Sequence, residues 1–234
     1  MVNTDKNEEL NQKLKELYSR ITDEFLAEYE KAFNDKAPRI NEFGIADEKC
    51  YDTDNGILVI LKEANGWRNE DFENGDVYID FVRAVIEEGS SINDGREAAE
   101  RVKMNMWYNL GRWITAIKEP DKKTEEIAEM YDEAIKALGA AAYTNVNKVR
   151  GYAHSDKEFW EIAQSDIAIN TIKEEIEILK PRTIIFGGTL WIFENSYIDE
   201  LKQKDIKILD MWHPAARKSN VEMIEEVKKQ MQEV

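Results

Sequence analysis

Ile57-Leu58-Val59-Ile60-Leu61, five consecutive aliphatic residues after Asn55-Gly56, decide the fold class. A run this short, with no polar residue at either alternate set of positions, suits a strand covered on both faces, as in a parallel sheet. Ala140–Val146 reads the same way, and so does Arg182–Phe186, set between Pro181 and Gly187-Gly188. Ile206–Leu209 is a short fourth candidate. Helical patterns separate all four. Upstream, Leu10, Leu14, Leu17, Ile21, Phe25, Tyr29 and Phe33 form one stripe of a long amphipathic helix. Val77–Glu88, Gly95–Lys118 and Thr124–Leu138 are helical between the first two strands. Ser155 with Glu158 reads as a capping box opening a helix to Leu179, and Ser219 with Glu222 repeats the signature before the last helix. The alternation predicts an α/β three-layer sandwich with a four-stranded, mostly parallel sheet and a long N-terminal helix. Residues 1–55 are read as that helix and a polar connection, Asp35–Asn55, packed on a domain spanning 56–234.

Composition narrows the class. The 234 residues carry 48 acidic and 32 basic side chains, a formal charge of −16, and 42% hydrophobic residues. That is enough apolar material for a core and excludes a disordered or collagen-like chain. Cys50 is the one cysteine, so neither an intramolecular disulfide nor a four-thiolate metal site can form. No apolar run approaches the roughly 20 residues of a membrane span. The N-terminal MVNTDKNEEL does not read as a signal peptide, so a cytoplasmic protein is expected. The net charge argues against tight nonspecific binding to nucleic acid, which needs Lys and Arg on phosphate, but leaves room for a locally basic cleft.

Ligands of open parallel sheets bind beyond the carboxyl ends of the strands. The four loops there run through Lys62-Glu63-Ala64-Asn65-Gly66-Trp67-Arg68, Asn145–Gly151, Gly187-Gly188-Thr189 and Asp210–Ser219. Lys62, Arg68, Lys148, Arg150, Arg217 and Lys218 would together give them a positive rim fit for an anionic ligand such as a nucleotide or phosphodiester. Both histidines lie in these loops. His154 reads as an ordinary solvated or structural side chain. His213, flanked by Trp212 and Pro214, is a candidate donor to charge developing on a ligand oxygen. Asn145 ends a strand and offers a donor–acceptor pair able to read a base edge, or else caps a turn. The Ala64-Asn65-Gly66 turn could present backbone N–H groups to a bound group. Trp107, Tyr108 and Trp113 share one helical stretch, as core or as a stacking platform for a planar ligand. No metal-ligand spacing, nucleophile elbow or Cys/His pair is present.

Taken in order, these loops resemble the motifs of the uracil-DNA glycosylase superfamily. Leu61–Gly66 is similar to the Gly-Glu-Ala-Pro-Gly motif of its thermostable microbial branch, and Thr144-Asn145-Val146-Asn147-Lys148 to that branch's Thr-Asn-Val-Val-Lys. Lys180–Gly188 resembles the strand-plus-glycine element, and His213-Pro214-Ala215 the closing His-Pro-Ser. The likeness spans roughly residues 57–219. It implies a four-stranded parallel sheet between helices and cleavage of the N-glycosidic bond of a base flipped from DNA. It implies that Asn145 bonds the base edge and that His213 stabilises the departing base anion. It also implies that Glu63, Ala64, Asn65 and Gly66 lie against base and water, that a ring near Trp107 stacks on the base, and that Lys148 contacts phosphate. Arg217 and Lys218 are read with it as phosphate contacts. Lys62, Asn65 and Ala215 stand where the family has Gly, Pro and Ser, and one cysteine leaves no means to hold that branch's iron–sulfur cluster. No cofactor is expected.

The leading expectation is a glycosylase-like hydrolase acting on a flipped or free pyrimidine nucleotide, with DNA or nucleotide in a basic cleft. The alternative is a module of the same fold that binds a nucleobase, nucleotide or single-stranded nucleic acid without catalysis. A third reading is a structural protein whose N-terminal helix pairs with a partner through an exposed apolar stripe.

Overall fold

The structure, a computed structural model, describes residues 2–33, 40–62, 64–65, 78–95, 97, 101–151 and 157–233. A 30-residue helix, α1 (Thr4–Phe33), comes first, followed by β1 (Gly44–Ile45), β2 (Ile57–Leu61) and β3 (Ala64–Asn65). Helices α2 (Tyr78–Glu88), α3 (Met104–Lys118), α4 (Thr124–Ala128) and α5 (Asp132–Ala137) lead to β4 (Ala141–Asn145) and β5 (Arg150–Gly151). After α6 (Lys157–Ala163) and α7 (Asp166–Leu179) come β6 (Thr183–Gly187), α8 (Asn195–Gln203), β7 (Lys207–Met211) and α9 (Asn220–Gln232).

The main sheet has five strands in the order β1-β4-β2-β6-β7. Its four longer strands run parallel, with Leu58 opposite Ala142 on one side and Ile184 on the other. Every residue of β2, β4 and β6 is buried, as expected of strands covered on both faces. Each aliphatic side chain of β2 so removed from water contributes about 1.5–3 kcal/mol. One group of helices comprises α1, α6, α7 and α8, with α1 against α6 and α7 and α8 tied to α7 by the Lys204–Glu177 ion pair. The other comprises α2, α3, α4, α5 and α9, where α3 packs on α5 and α9.

The expected four strands are joined by a fifth. β1 lies in the polar stretch read as a connection and pairs antiparallel with β4. Two residues are too few to show a sequence period, and a side chain of α1 does the work instead. The Asn11 amide accepts from Ile45 N–H (2.8 Å) and donates to Ile45 C=O (3.2 Å), as a neighbouring strand would. At the opposite edge Gln230 of α9 accepts from Asp210 N–H (2.8 Å) and donates to Asp210 C=O (3.0 Å). Helix-borne amides therefore occupy edge backbone groups that could otherwise template another strand.

The stripe of α1 is covered: Leu14, Leu17, Ile21, Phe25 and Tyr29 are buried in the core. An exposed stripe, which the partner-helix reading requires, is not what the fold presents. Two helices expected to be continuous are broken. Ser165, extended at φ −67° and ψ 152°, accepts from Ala168 N–H and starts α7 anew. Glu129-Met130-Tyr131 separates α4 from α5, and the carbonyl freed at Met130 takes the Arg112 guanidinium (3.1 Å). Helix α3 begins at Met104 because Lys103 is non-helical and Gly95 sits at φ +76°. The Ser219–Glu222 capping box is formed, whereas Ser155 lies outside the described residues. No helix among the described residues is long and apolar enough to cross a membrane.

Candidate functional site

From β2 at the centre the chain first moves to β4 on one side, then to β6 on the other. The connections thus diverge between β2 and β6, and the crevice beyond their carboxyl ends is where such sheets take ligands. Lys62 leaves β2 there. Gly187 closes β6 and Gly188 leaves it, the first glycine for space and the second for its backbone conformation. A Cβ on Gly187 would fall 2.5 Å from Leu61 Cδ2, and Gly188, at φ +76°, has His213 N 3.4 Å from where its Cβ would be. Thr189 then ties this exit to β2 by donating from Oγ1 to Ile60 C=O (3.0 Å).

The loop after β7 is held from below. Asn109 of α3, buried, donates from Nδ2 to Pro214 C=O (2.8 Å), and Arg112 donates to Asn109 Oδ1 (3.2 Å) to orient that amide. Within the loop, Ala215 N–H donates to His213 Nδ1 (3.2 Å) and Ala216 N–H to His213 C=O (2.8 Å). Because Nδ1 accepts, the neutral ring carries its proton on Nε2, which is left as a donor. The half-buried ring stays neutral: burial, then the nearby Lys62 ammonium, push its pKa from 6.5 down to about 4. Replacing Lys62 with methionine removes the like charge and is expected to raise that pKa, with burial still holding it below 6.5. Imidazole NMR titration checks this, and a wild-type midpoint near 6.5 would contradict the assigned environment.

Asn145 is buried at the end of β4, with Val146 N–H and Asn147 N–H continuing the ladder to Leu61 and Lys62 carbonyls. His213 lies across β2 from it, against Gly188 at the exit of β6. Ala64 and Asn65 form β3, a parallel two-residue ladder with Arg150 and Gly151, rather than a free turn. That ladder joins the loop after β2 to the loop after β4. Arg217 and Lys218 are exposed, with the Lys218 ammonium 4.6 Å from the Trp212 ring. Glu63, Gly66, Arg68 and His154 lie outside the described residues.

Two expected site residues take other places. Lys148 does not offer its ammonium to phosphate: its side chain is 0% exposed and pairs with Glu175 of α7 at 2.6 Å. The loop after β4 turns inward, and Thr144 and the faces of Phe43 and Tyr18 complete that cation's surroundings. Trp107 is 1% exposed and packs edge-on against Phe81, with centroids 5.7 Å apart. It is core and shows no open ring face. Among the described residues the accessible indoles are Trp160, Trp191 and Trp212. Trp160 and Trp191 went unnoticed in the sequence, as did Asn109 and Arg112. The one signal for the last two was a polar pair at i, i+3 in an otherwise apolar helix.

Among the described residues no group of three His, Cys, Asp or Glu side chains converges as a metal site. No family model, curated protein or solved structure matches the chain.

Proposed function

We propose that the crevice bounded by Asn145 and His213 is a pyrimidine pocket and that the protein hydrolyses N-glycosidic bonds in the manner of a uracil-DNA glycosylase. The observation that carries this reading is the neutral His213 ring, its Nδ1 occupied by Ala215 N–H and its Nε2–H left to donate, at the switch point of the sheet. The resemblance of the loop motifs supports it. In the proposed reaction the C1′–N1 bond breaks and its electron pair leaves with the base. His213 Nε2–H bonds the base oxygen on which the negative charge grows. Water adds to the electron-poor C1′ and gives up a proton, and the base anion takes one up from solvent. A neutral donor suits this step, since an imidazolium would hand over its proton instead of stabilising the anion. Asn145 would bond the base edge.

The test is incubation with uracil-containing single-stranded DNA, scoring abasic sites. Removing one oxyanion-type donor costs about 10²–10³ in rate, so His213→Ala is expected to fall by that factor, and Asn145→Ala to lose base binding. A second reading, binding without cleavage, is favoured by Ala64. That position supplies no carboxylate to orient water, and its backbone is engaged in the ladder with Arg150. Base binding lost in Asn145→Ala with no abasic product would select it. If neither substitution alters binding or activity, the pocket assignment is wrong.

A further inference from the structure

We infer that the rim beyond His213 is a stacking platform for the nucleotide next to the recognised base, making the ligand a single-stranded polynucleotide. The inference rests on the nucleobase reading of the crevice and adds to it the class of substrate. The Lys62 side chain leads from one to the other. Its Cε lies 3.8 Å from where a Cβ on Gly188 would be, beside His213, and its ammonium ends 5.2 Å from the Trp160 ring centroid. Trp160 in turn meets Trp191, with centroids 4.8 Å apart and planes at 58°. Trp191 is 59% exposed, an unusual place for so large an apolar ring. Imidazole, ammonium and two indoles thus form a continuous path.

Charge decides what this path accepts. Beside Trp191 opens a cleft of about 650 Å³ lined also by Phe193, Asn195, Ile198, Asp199, Lys202 and Asp210. Its two carboxylates outnumber the one ammonium, so the cleft disfavours phosphate and accepts hydrogen bonds from base N–H groups, the thymine imide included. Lys62, on the crevice side of the indoles, is the local site for phosphate. A base would therefore stack on Trp191 and enter the cleft, with the linking phosphate over Lys62. Stacking of this kind needs a base with a free face, which a duplex withholds and a single strand supplies. On a chain of charge −16 the footprint is short, because the cations of this rim are few.

The experiment compares a short oligothymidylate, thymidine monophosphate and a duplex of equal length, binding to the full chain and to Trp191→Ala. Trp191 is largely exposed, so its removal should leave the fold intact, and circular dichroism checks this. The single strand is expected to bind about tenfold or more tighter than mononucleotide or duplex. Trp191→Ala should weaken the oligonucleotide about 5- to 150-fold, from the usual worth of one stacked base, and leave the mononucleotide unchanged. With two or three phosphates held, affinity should fall with salt at a log–log slope of about −1.4 to −2.1. Equal affinity for the single strand and the mononucleotide, no effect of Trp191→Ala, or preference for the duplex would overturn the platform while leaving the pocket standing. Loss of mononucleotide binding in His213→Ala tests the pocket alone. Absence of binding by all three ligands would sink both.

Discussion

Glu175→Gln is expected to destabilise the protein by about 3–5 kcal/mol, the usual cost of breaking a buried ion pair from one side. In a fold whose whole stability is about 5–15 kcal/mol, that is among the largest single losses available. The Glu175 side chain is 1% exposed and satisfied on both oxygens. Oε1 takes the Lys148 ammonium (2.6 Å) and the Tyr18 hydroxyl (2.7 Å), and Oε2 takes the Thr144 hydroxyl (2.7 Å). Lys148 also donates to Thr144 Oγ1. The cluster thereby joins α1, β4, the loop after β4 and α7. Burial raises the Tyr18 phenol well above its usual pKa, with the Glu175 charge adding to it, so the hydroxyl keeps its proton as a donor. An amide at 175 would leave the ammonium buried without a counter-charge. Double substitution, Lys148→Met with Glu175→Gln, should cost less than the sum of the singles, because it removes both charges. Urea midpoints measure all three variants.

The pH dependence has a definite sign. Burial already lowers the Lys148 pKa, opposed by the Glu175 charge, which raises it. Without Glu175 it drops further, so between the lowered value and the ordinary 10.5 the unfolded chain binds a proton that the folded chain does not. Stability then rises with pH across that interval. The defect of Glu175→Gln should accordingly shrink from pH 7 to pH 10. A loss under about 1 kcal/mol with no such trend would show that the pair carries little of the fold.

This cluster also shows what the sequence could and could not disclose. Strands β2, β4 and β6 were legible because burial on both faces leaves a run of residues with little polar interruption, whereas the edge strand β7, with Asp210 exposed, showed only a short aliphatic stretch. The inward turn of Lys148 was not, since a lysine two residues past a strand end looks the same whether it faces solvent or a carboxylate. A clue did exist in α7. Glu175 lies on the stripe of Ile167, Ala168, Thr171, Ile172, Ile176 and Leu179, and a carboxylate on a buried face demands a partner. Strand ends placed His213 and Asn145 at one rim for the same topological reason that they place ligands there. Trp107 misled because an indole in a helix reads alike as platform or core. Only tertiary packing, with Phe81 against its edge, separates the two. The breaks before α5 and α7 were hidden by apolar spacing that continues across them.

Gly111→Ala should be the most damaging one-carbon addition in α3. Ordinarily alanine is favoured over glycine inside a helix by about 1 kcal/mol. Here a Cβ would lie 1.8 Å from the Ala134 carbonyl oxygen, 2.4 Å from its carbon and 2.9 Å from Cα. All three are backbone atoms of α5, so no rotamer change relieves the contact and the helices must separate. Overpacking costs about 1–3 kcal/mol when side chains can adjust. With backbone as the obstacle, a loss at the upper end exceeds the propensity gain and leaves a net deficit of about 2 kcal/mol. For a chain of this size that corresponds to a fall of about 4–8 °C in Tm. The consequence reaches the crevice, because α3 also bears Arg112, bonded to the Met130 carbonyl just before α5, and Asn109, bonded to the Pro214 carbonyl. Moving α3 off α5 disturbs the support of the His213 loop and should shift the imidazole pKa from about 4 toward 6.5. Asn109→Ala separates the two effects: it should move the His213 titration with a smaller change in Tm. A Gly111→Ala protein that gains stability, as helix propensity alone would have it, would show that α3 and α5 do not approach so closely.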